Sequence, residues 1–400
     1  MTRHLLKLVW NRKRSNALMI LETCVSFLVV FAVVTLGIFF LDNYRRPLGF
    51  DWKNVWDVSI SRGGSEAAPV TDVSAQKAIF GRLLQEVRTL GPVEAAAGSM
   101  VVPFDQGGFS GRYKIDGRPV DVDLDVATEG FDKVMGLRMV AGRWFEKADA
   151  EVAWSPIVIN RDLARVAFGS ADPLGKPLGD ARPGERPFRV VGVVSDFRKS
   201  GELMPKGNFM FQLRRQQGPD DGPLRHLMVR VRPGTPAEFE EALVKRLAAV
   251  APDWSFEVRP LAQVRATSFR FFLTPLIVAG TLAFFLLLMV GLGLIGVLWQ
   301  NLLQRTREIG LRRATGASSA AVQRQVLLEQ LLLTSMGVFI GALLVVQIPV
   351  LDLIGVLSRG VFTAGLLTAM AAIYLLSLLC VLYPSLLAAR VQPAEALHYE

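Results

Sequence analysis

Gln304-Arg-Thr-Arg-Glu-Ile-Gly-Leu-Arg-Arg-Ala-Thr-Gly-Ala-Ser318 is a charged stretch set between two long apolar runs. Phe271–Trp299 precedes it and Val326–Val350 follows it, each longer than the roughly 20 apolar residues that cross a bilayer as a helix. Ala17–Leu41 and Val361–Ala389 meet the same length. A chain of 400 residues that is 51% hydrophobic, with positive mean hydropathy, is therefore expected to be a four-span membrane protein. Ala17–Leu41 also exceeds a signal-peptide core of roughly 7–15 residues, and no small-x-small pattern follows it, so it is expected to remain as the first span.

The basic residues set the orientation. Arg3, Lys7, Arg12, Lys13 and Arg14 precede span one without an acid, and Arg305, Arg307, Arg312, Arg313 and Arg324 lie between spans two and three against Glu308. Only Asp352 and Arg359 lie between spans three and four. Asp42–Ser268 holds 32 basic and 30 acidic residues, so just +2 of the net +9 belongs to that block. The surplus reflects membrane topology and calls for no nucleic-acid partner. Both termini (1–16 and 390–400) and the 300–325 loop are expected to be cytoplasmic, and residues 42–268 to face outward. Met1–Asn16 mixes Leu5, Leu6, Leu8, Val9 and Trp10 with basic residues, which suits a segment lying at the lipid headgroups or a plain positive flank.

The outward block contains no cysteine, because Cys24 and Cys380 both lie in spans, and His4, His226 and His398 are far apart, so neither a disulfide framework nor a metal site is expected. Strand-like patterns lie at Lys53–Ser61, Ala95–Val102, Gly111–Ile115, Val120–Val126, Ile157–Asn160, Phe188–Val194 and Leu227–Arg232, and Phe256–Pro260 closes the block. Helical spacing predicts helices at Val73–Leu90, Arg161–Phe168 and Pro236–Val250. This mixture reads as α+β. The return of strand and helix after about Gly222 implies that the two ends of the block pack together around an inserted middle beginning near Gly130.

Gly169-Ser-Ala-Asp-Pro-Leu-Gly-Lys-Pro177 approaches a phosphate-binding loop but has one residue too many, and Pro177 stands where the magnesium-binding hydroxyl belongs. The chain is therefore not expected to hydrolyse ATP. Asp121, Asp123 and Asp125 alternate on one strand, as a solvated face does. The Gln304–Ser318 stretch, if helical, puts Arg305, Glu308 and Arg312 close to one face, with Ile309 and Arg313 beside them. Composition alone fits either a solvated positive loop or a handle for a soluble partner.

The order of residues narrows the choice. Arg307-Glu-Ile-Gly-Leu-Arg-Arg-Ala-Thr-Gly-Ala317 resembles the cytoplasmic loop signature of the MacB/FtsX-like (type VII, mechanotransmission) ABC transporter permeases, and Gln392-Pro-Ala-Glu-Ala-Leu397 resembles their C-terminal tail. In the outward block, Ala141-Gly-Arg-Trp-Phe-Glu, Val158-Ile-Asn-Arg-Asp-Leu-Ala, Asp172-Pro-Leu-Gly-Lys176 and Val191-Gly-Val-Val-Ser-Asp-Phe197 resemble that family's periplasmic core domain. The resemblance implies four transmembrane helices and, between the first two, a large α+β periplasmic domain with a porter-like part and an inserted mostly-β part near 130–215. It implies a bacterial inner-membrane permease subunit that binds no cofactor itself, with ATP and Mg held by a cytoplasmic ABC ATPase dimer on separate chains. It also implies a second permease chain, identical or paralogous, and suggests a periplasmic adaptor with an outer-membrane channel. Arg307, Glu308, Gly310, Arg312 and Arg313 are the expected ATPase contacts. The job is expected to be efflux or extraction of a periplasmic or membrane substrate; the alternative is an FtsX-like scaffold that moves a cell-wall hydrolase and transports nothing.

Within the spans, Gly337-Val-Phe-Ile-Gly341 is a small-xxx-small pattern that lets two helices approach closely. Glu22 lies near the cytoplasmic start of span one, within reach of Arg12, Lys13 or Arg14.

Overall fold

The computed structural model describes residues 13–62, 73–115, 117–179, 186–214, 224–304, 311, 318–351, 355 and 357–390. They form two compact units, Met1–Asp42 with Leu273–Glu400, and Asn43–Phe272. The chain runs through α1 (Lys13–Tyr44), β1 (Val55–Arg62), α2 (Val73–Arg88), β2 (Val93–Ser99), β3 (Phe109–Ile115) and β4 (Arg118–Ala127). It continues through α3 (Phe131–Met135), β5 (Met139–Gly142), a 3-10 turn (Lys147–Ala150), β6 (Ser155–Asn160), α4 (Arg161–Phe168), β7 (Phe188–Val194) and β8 (Phe209–Leu213). Then come β9 (His226–Val231), α5 (Phe239–Val250), β10 (Trp254–Pro260), α6 (Leu261–Gln304), α7 (Ser319–Val350) and α8 (Arg359–Arg390). Of the described helices, α1, α6, α7 and α8 are long and apolar enough to cross a membrane.

The strands share one sheet in the order β10-β1-β9-β2-β4-β8-β6-β7-β5, with β3 paired to β4. Each of its first four strands is antiparallel to its neighbour among them. The chain visits them as β1-α2-β2 and then β9-α5-β10, the split βαβ order of a ferredoxin-like fold. Alternation assigns the two faces. Trp56, Val58, Leu227 and Val229 meet Leu83, Val87, Leu243 and Leu247 under α2 and α5, while Val55, Ala97 and Met228 turn to the other face. α5 starts at Phe239, three residues past Pro236, because a turn closed by Phe239 N–H on the Pro236 carbonyl (3.1 Å) comes first.

The inserted part opens right after Ser99 and closes before His226, with residues 215–223 outside the described set. This is earlier than Gly130. The reason is that β4 shares a single register pair with β2, Ser99↔Ala127, while its length is taken by the β3 hairpin and by parallel β8. Ser99 also stands opposite His226 on β9, so the chain leaves and rejoins the parent sheet on neighbouring strands. β6 and β7 run parallel across α4, and Asn160 caps that helix by accepting from Leu163 N–H at 3.0 Å. The pattern does not betray β8, because Phe209 and Phe211 enter the central cluster while Met210 enters the one beneath α4, which removes alternation.

Asp121 does lie on a solvated face, paired with Arg112 at 2.7 Å. Asp125 does not. It is 1% exposed, because the far end of β4 is enclosed between β2 and β8. Its carboxylate accepts from Ser99 Oγ (2.7 Å) and from the N–H groups of Met100 and Val101 (3.0 Å each). Burial pushes the Asp125 carboxyl up to about 7, against the opposing pull of those hydrogen bonds. An unfolded aspartate titrates near about 3.9. The folded chain therefore keeps a proton that the unfolded chain gives up between those values. The stability this confers is complete below about pH 4 and is lost as pH rises through 7. Asp125→Asn keeps both backbone contacts and can donate to Ser99 Oγ. Thermal unfolding of the full chain at pH 5 and pH 8 should show a smaller pH effect in this variant than in the wild type; equal pH dependence would contradict the assignment.

Candidate functional site

Arg307, Glu308, Gly310, Arg312 and Arg313 lie outside the described residues. Of that stretch the structure describes Leu311, which is helical and 59% exposed. On its far side Ser318 caps α7, its Oγ accepting from Ala321 N–H at 3.3 Å. Gly337 and Gly341 seat α7 directly against α1. A Cβ at 337 would stand 2.8 Å from Thr23 Cβ and 2.9 Å from the Ile20 carbonyl, and one at 341 would stand 2.5 Å from Phe27 Cδ1. α7 and α8 are joined by hydroxyls, Thr334 to Ser377 at 2.7 Å and Ser335 to Tyr374 at 2.9 Å. Such contacts hold helices together where lipid removes the hydrophobic drive. Glu22 rests against Gly293 of α6, its Oε1 3.2 Å from where a Cβ would be. Arg12 and the side chains of Lys13 and Arg14 lie outside the described set.

The large unit has its own site in the segment that follows β7. Phe197 is anchored in an aromatic cluster, with ring centroids 4.6 Å from Phe209, 4.9 Å from Phe211 and 5.1 Å from Phe50. The next residue, Arg198, is 3% exposed. Its Nη1 donates to the carbonyls of Asn43 (2.9 Å) and Arg46 (3.0 Å), where α1 ends. Its Nη2 donates to the carbonyls of Glu202 (2.7 Å) and Met204. Carbonyls in the last turn of a helix lack intrahelical donors and carry partial negative charge, which a guanidinium fork suits. Burial lowers the Arg198 pKa and neighbouring Glu202 opposes the shift, yet a guanidinium remains charged.

Glu202 turns its carboxylate the other way. Arg265, in the first turns of α6, donates from Nε to Glu202 Oε1 at 2.6 Å and lies over the rings of Trp52 (4.6 Å) and Phe269 (4.7 Å). Lys206 braces the segment from Asp196 at 2.8 Å. One short piece of the insertion thus grips both the end of α1 and the start of α6. The sequence motif ends at Phe197, one residue short, since Arg198 is a lone arginine two of whose partners, Asn43 and Arg46, are about 150 residues away.

Asp57, fully buried, accepts from Arg259 Nη2 at 2.9 Å and holds His226 Nδ1 at 2.9 Å. This contact unites strands far apart in sequence and is invisible in the linear chain. Among the described residues no group of three His, Cys, Asp or Glu side chains is placed to hold a metal ion.

A family model described as the MacB-like periplasmic core domain matches residues 17–246, and one for the FtsX-like permease C-terminal part matches 280–393. The chain belongs to the MacB/FtsX-like permease family. It is similar to the macrolide export ATP-binding/permease protein MacB of Bordetella avium, 28% identical over 68% of this chain and 42% of that one. MacB of Chlorobium luteolum is 25% identical over 98% of this chain and 59% of its own length. The probable syringafactin exporter SyfD of Pseudomonas syringae is 27% identical over 78% and 48%. This chain thus spans about half the length of those relatives. The solved periplasmic region of MacB from Actinobacillus actinomycetemcomitans matches at 16% identity and TM-score 0.39, over 54% of this chain and 92% of that structure. The extracellular domain of the noncanonic ABC-type transporter YknZ matches at 17% identity and TM-score 0.35, over 50% and 99%.

Arg198→Ala should destabilise the large unit in denaturant unfolding, because it takes the donors from the buried carbonyls of Glu202 and Met204, a loss of roughly 1–3 kcal/mol for each. Arg198→Lys, which lacks the fork, should recover only part of that loss. Gly341→Leu should lower the melting temperature of the detergent-solubilised chain by driving α7 from α1, an overpacking cost of roughly 1–3 kcal/mol. A melting temperature equal to the wild type's would show that the two helices do not need this contact.

Proposed function

We propose that this chain is an inner-membrane permease subunit that converts the ATP-driven closure of an ABC ATPase, carried by partner chains, into movement of its large α+β domain. A second permease chain, identical or paralogous, completes the assembly, and the motion drives efflux or extraction of a substrate at the outer face. ATP and Mg sit in the partner. The observation that carries this reading is α6, a single helix from Leu261, next to the last strand, to Gln304, next to the charged stretch. A helix that is continuous between those points suits the passage of force, and Glu202–Arg265 ties its first turns to the insertion.

The basic surplus around the spans supports cytoplasmic termini and a cytoplasmic charged loop. The names of the relatives, ATP-binding/permease proteins, support an ATPase as the engine. Those names specify macrolides, syringafactin and pyoverdine at similar identities of 25–28%, so a particular cargo does not transfer with the family.

Affinity isolation of the full chain from native membranes should bring down a nucleotide-hydrolysing subunit. Arg307→Glu or Glu308→Arg should weaken that association by about tenfold, a loss of roughly 1.4 kcal/mol, while membrane insertion stays intact. Undiminished association and ATP hydrolysis in both variants would remove the coupling role from this stretch.

A further inference from the structure

The four long helices of the membrane unit meet around a cavity of about 10 Å³. Four hydroxyl residues line it, Thr23 and Ser26 of α1, Thr334 of α7 and Ser377 of α8, and α6 contributes Leu294. Each of the four is at most 5% exposed. All lie within the spans, where bulk water is not at hand to satisfy them.

Their hydrogen bonds do not balance. Ser26 Oγ donates to the Glu22 carbonyl at 2.7 Å, which leaves its lone pairs without a donor among the described residues. Thr334 and Ser377 stand 2.7 Å apart and have two hydroxyl hydrogens for one shared hydrogen bond. Gln330 Nε2, 3.5 Å from Thr334 Oγ1, is itself a donor and takes up neither. Thr23 Oγ1 has no hydrogen-bond partner among the described residues. Two O–H donors therefore line the cavity without an acceptor, and Ser26 offers lone pairs without a donor. A buried polar group left so costs roughly 1–3 kcal/mol.

An occupant has to accept two hydrogen bonds, donate one, and fit a space that admits a single small molecule. Water does all three, since one molecule needs roughly 10–15 Å³ and two to four polar partners. A cation does not fit. Among the described residues no charged side chain lines the cavity, and an uncompensated ion within a span is costly.

We propose that this cavity binds one ordered water molecule, which accepts from Thr23 and from the Thr334–Ser377 pair and donates to Ser26. It thereby joins α1 to the α7–α8 pair. A bridging water is enthalpically nearly as good as a direct hydrogen bond, so it adds a polar link where Gly337 and Gly341 supply close fit. The site does not depend on the proposed function.

The test is X-ray radiolysis of the full-length chain in bilayer nanodiscs, read by peptide mass spectrometry. Radicals formed from a bound water oxidise the side chains beside it. Leu294 and Leu376, which line the cavity, should be oxidised several-fold faster than Phe31 and Phe362, whose rings are intrinsically more reactive but lie in the packed cluster around Phe27. Ser377→Val fills the space and removes a hydroxyl, and should lower oxidation of the two leucines about tenfold. Thr23→Val keeps the side-chain shape against Gly337, removes one donor, and should lower it in the same direction if Ser377→Val does not fold. Oxidation of the leucines no faster than of the two phenylalanines, or unchanged in the folded variants, would overturn the assignment. So would a ladder of oxidised residues running from the membrane surface to Leu294, which would mean an open crevice. A rise in melting temperature in sodium chloride over choline chloride that Thr23→Val abolishes would give the space to a cation and overturn it too.

Discussion

A helix that ends against a folded domain leaves its last carbonyls without intrahelical donors, and burying them unsatisfied costs roughly 1–3 kcal/mol each. At Asn43, whose carbonyl also receives the Arg46 N–H, and at Arg46 just past the helix, this chain adds the guanidinium of Arg198. Placing that charge at 3% exposure is itself expensive, and is offset because the same fork also reaches the carbonyls of Glu202 and Met204. The requirement of one helix end thereby fixes the path of the loop after β7, and that loop in turn places Glu202 against Arg265. Ends of two different helices are bound to one loop by a single chain of hydrogen bonds.

The large unit depends on that loop being rigid, and the aromatic cluster behind it makes it so. Phe197 packs with Phe209 and Phe211 from the insertion, while Ala97 and Met228 reach the same cluster from the ferredoxin-like strands. The two halves therefore share a core although β2 and β4 share one register pair. The membrane unit is held differently. Two glycines on α7 admit Thr23 and Phe27 of α1, and hydroxyl pairs link α7 to α8, so close fit and polar contact replace the burial of apolar area.

Much of this is legible in the linear chain, for identifiable reasons. Four apolar runs declare their length, and α4 and β7 match their expected limits because capping and alternation are local signals. What escapes notice depends on partners distant in sequence. Asp125 reads as the third member of a solvated row, and only the position of β2 and β8 beside it reveals its burial. Arg198 has no motif, because its ligands are main-chain carbonyls that any residue can supply. β8 fails the alternation test because both its faces are covered. The site expected at Arg307–Arg313 comes from resemblance and falls outside the described residues, whereas the Arg198–Glu202 grip comes from geometry alone.

Ser99 and His226 face each other across neighbouring strands, yet more than a hundred residues separate them. Connecting such adjacent points by a long excursion costs closure entropy that grows only with the logarithm of its length. The parent βαββαβ layer is therefore indifferent to how large or elaborate that excursion becomes, provided its two anchor points stay put. A change in the length of this module therefore leaves the register of the helix-backed strands beneath it undisturbed.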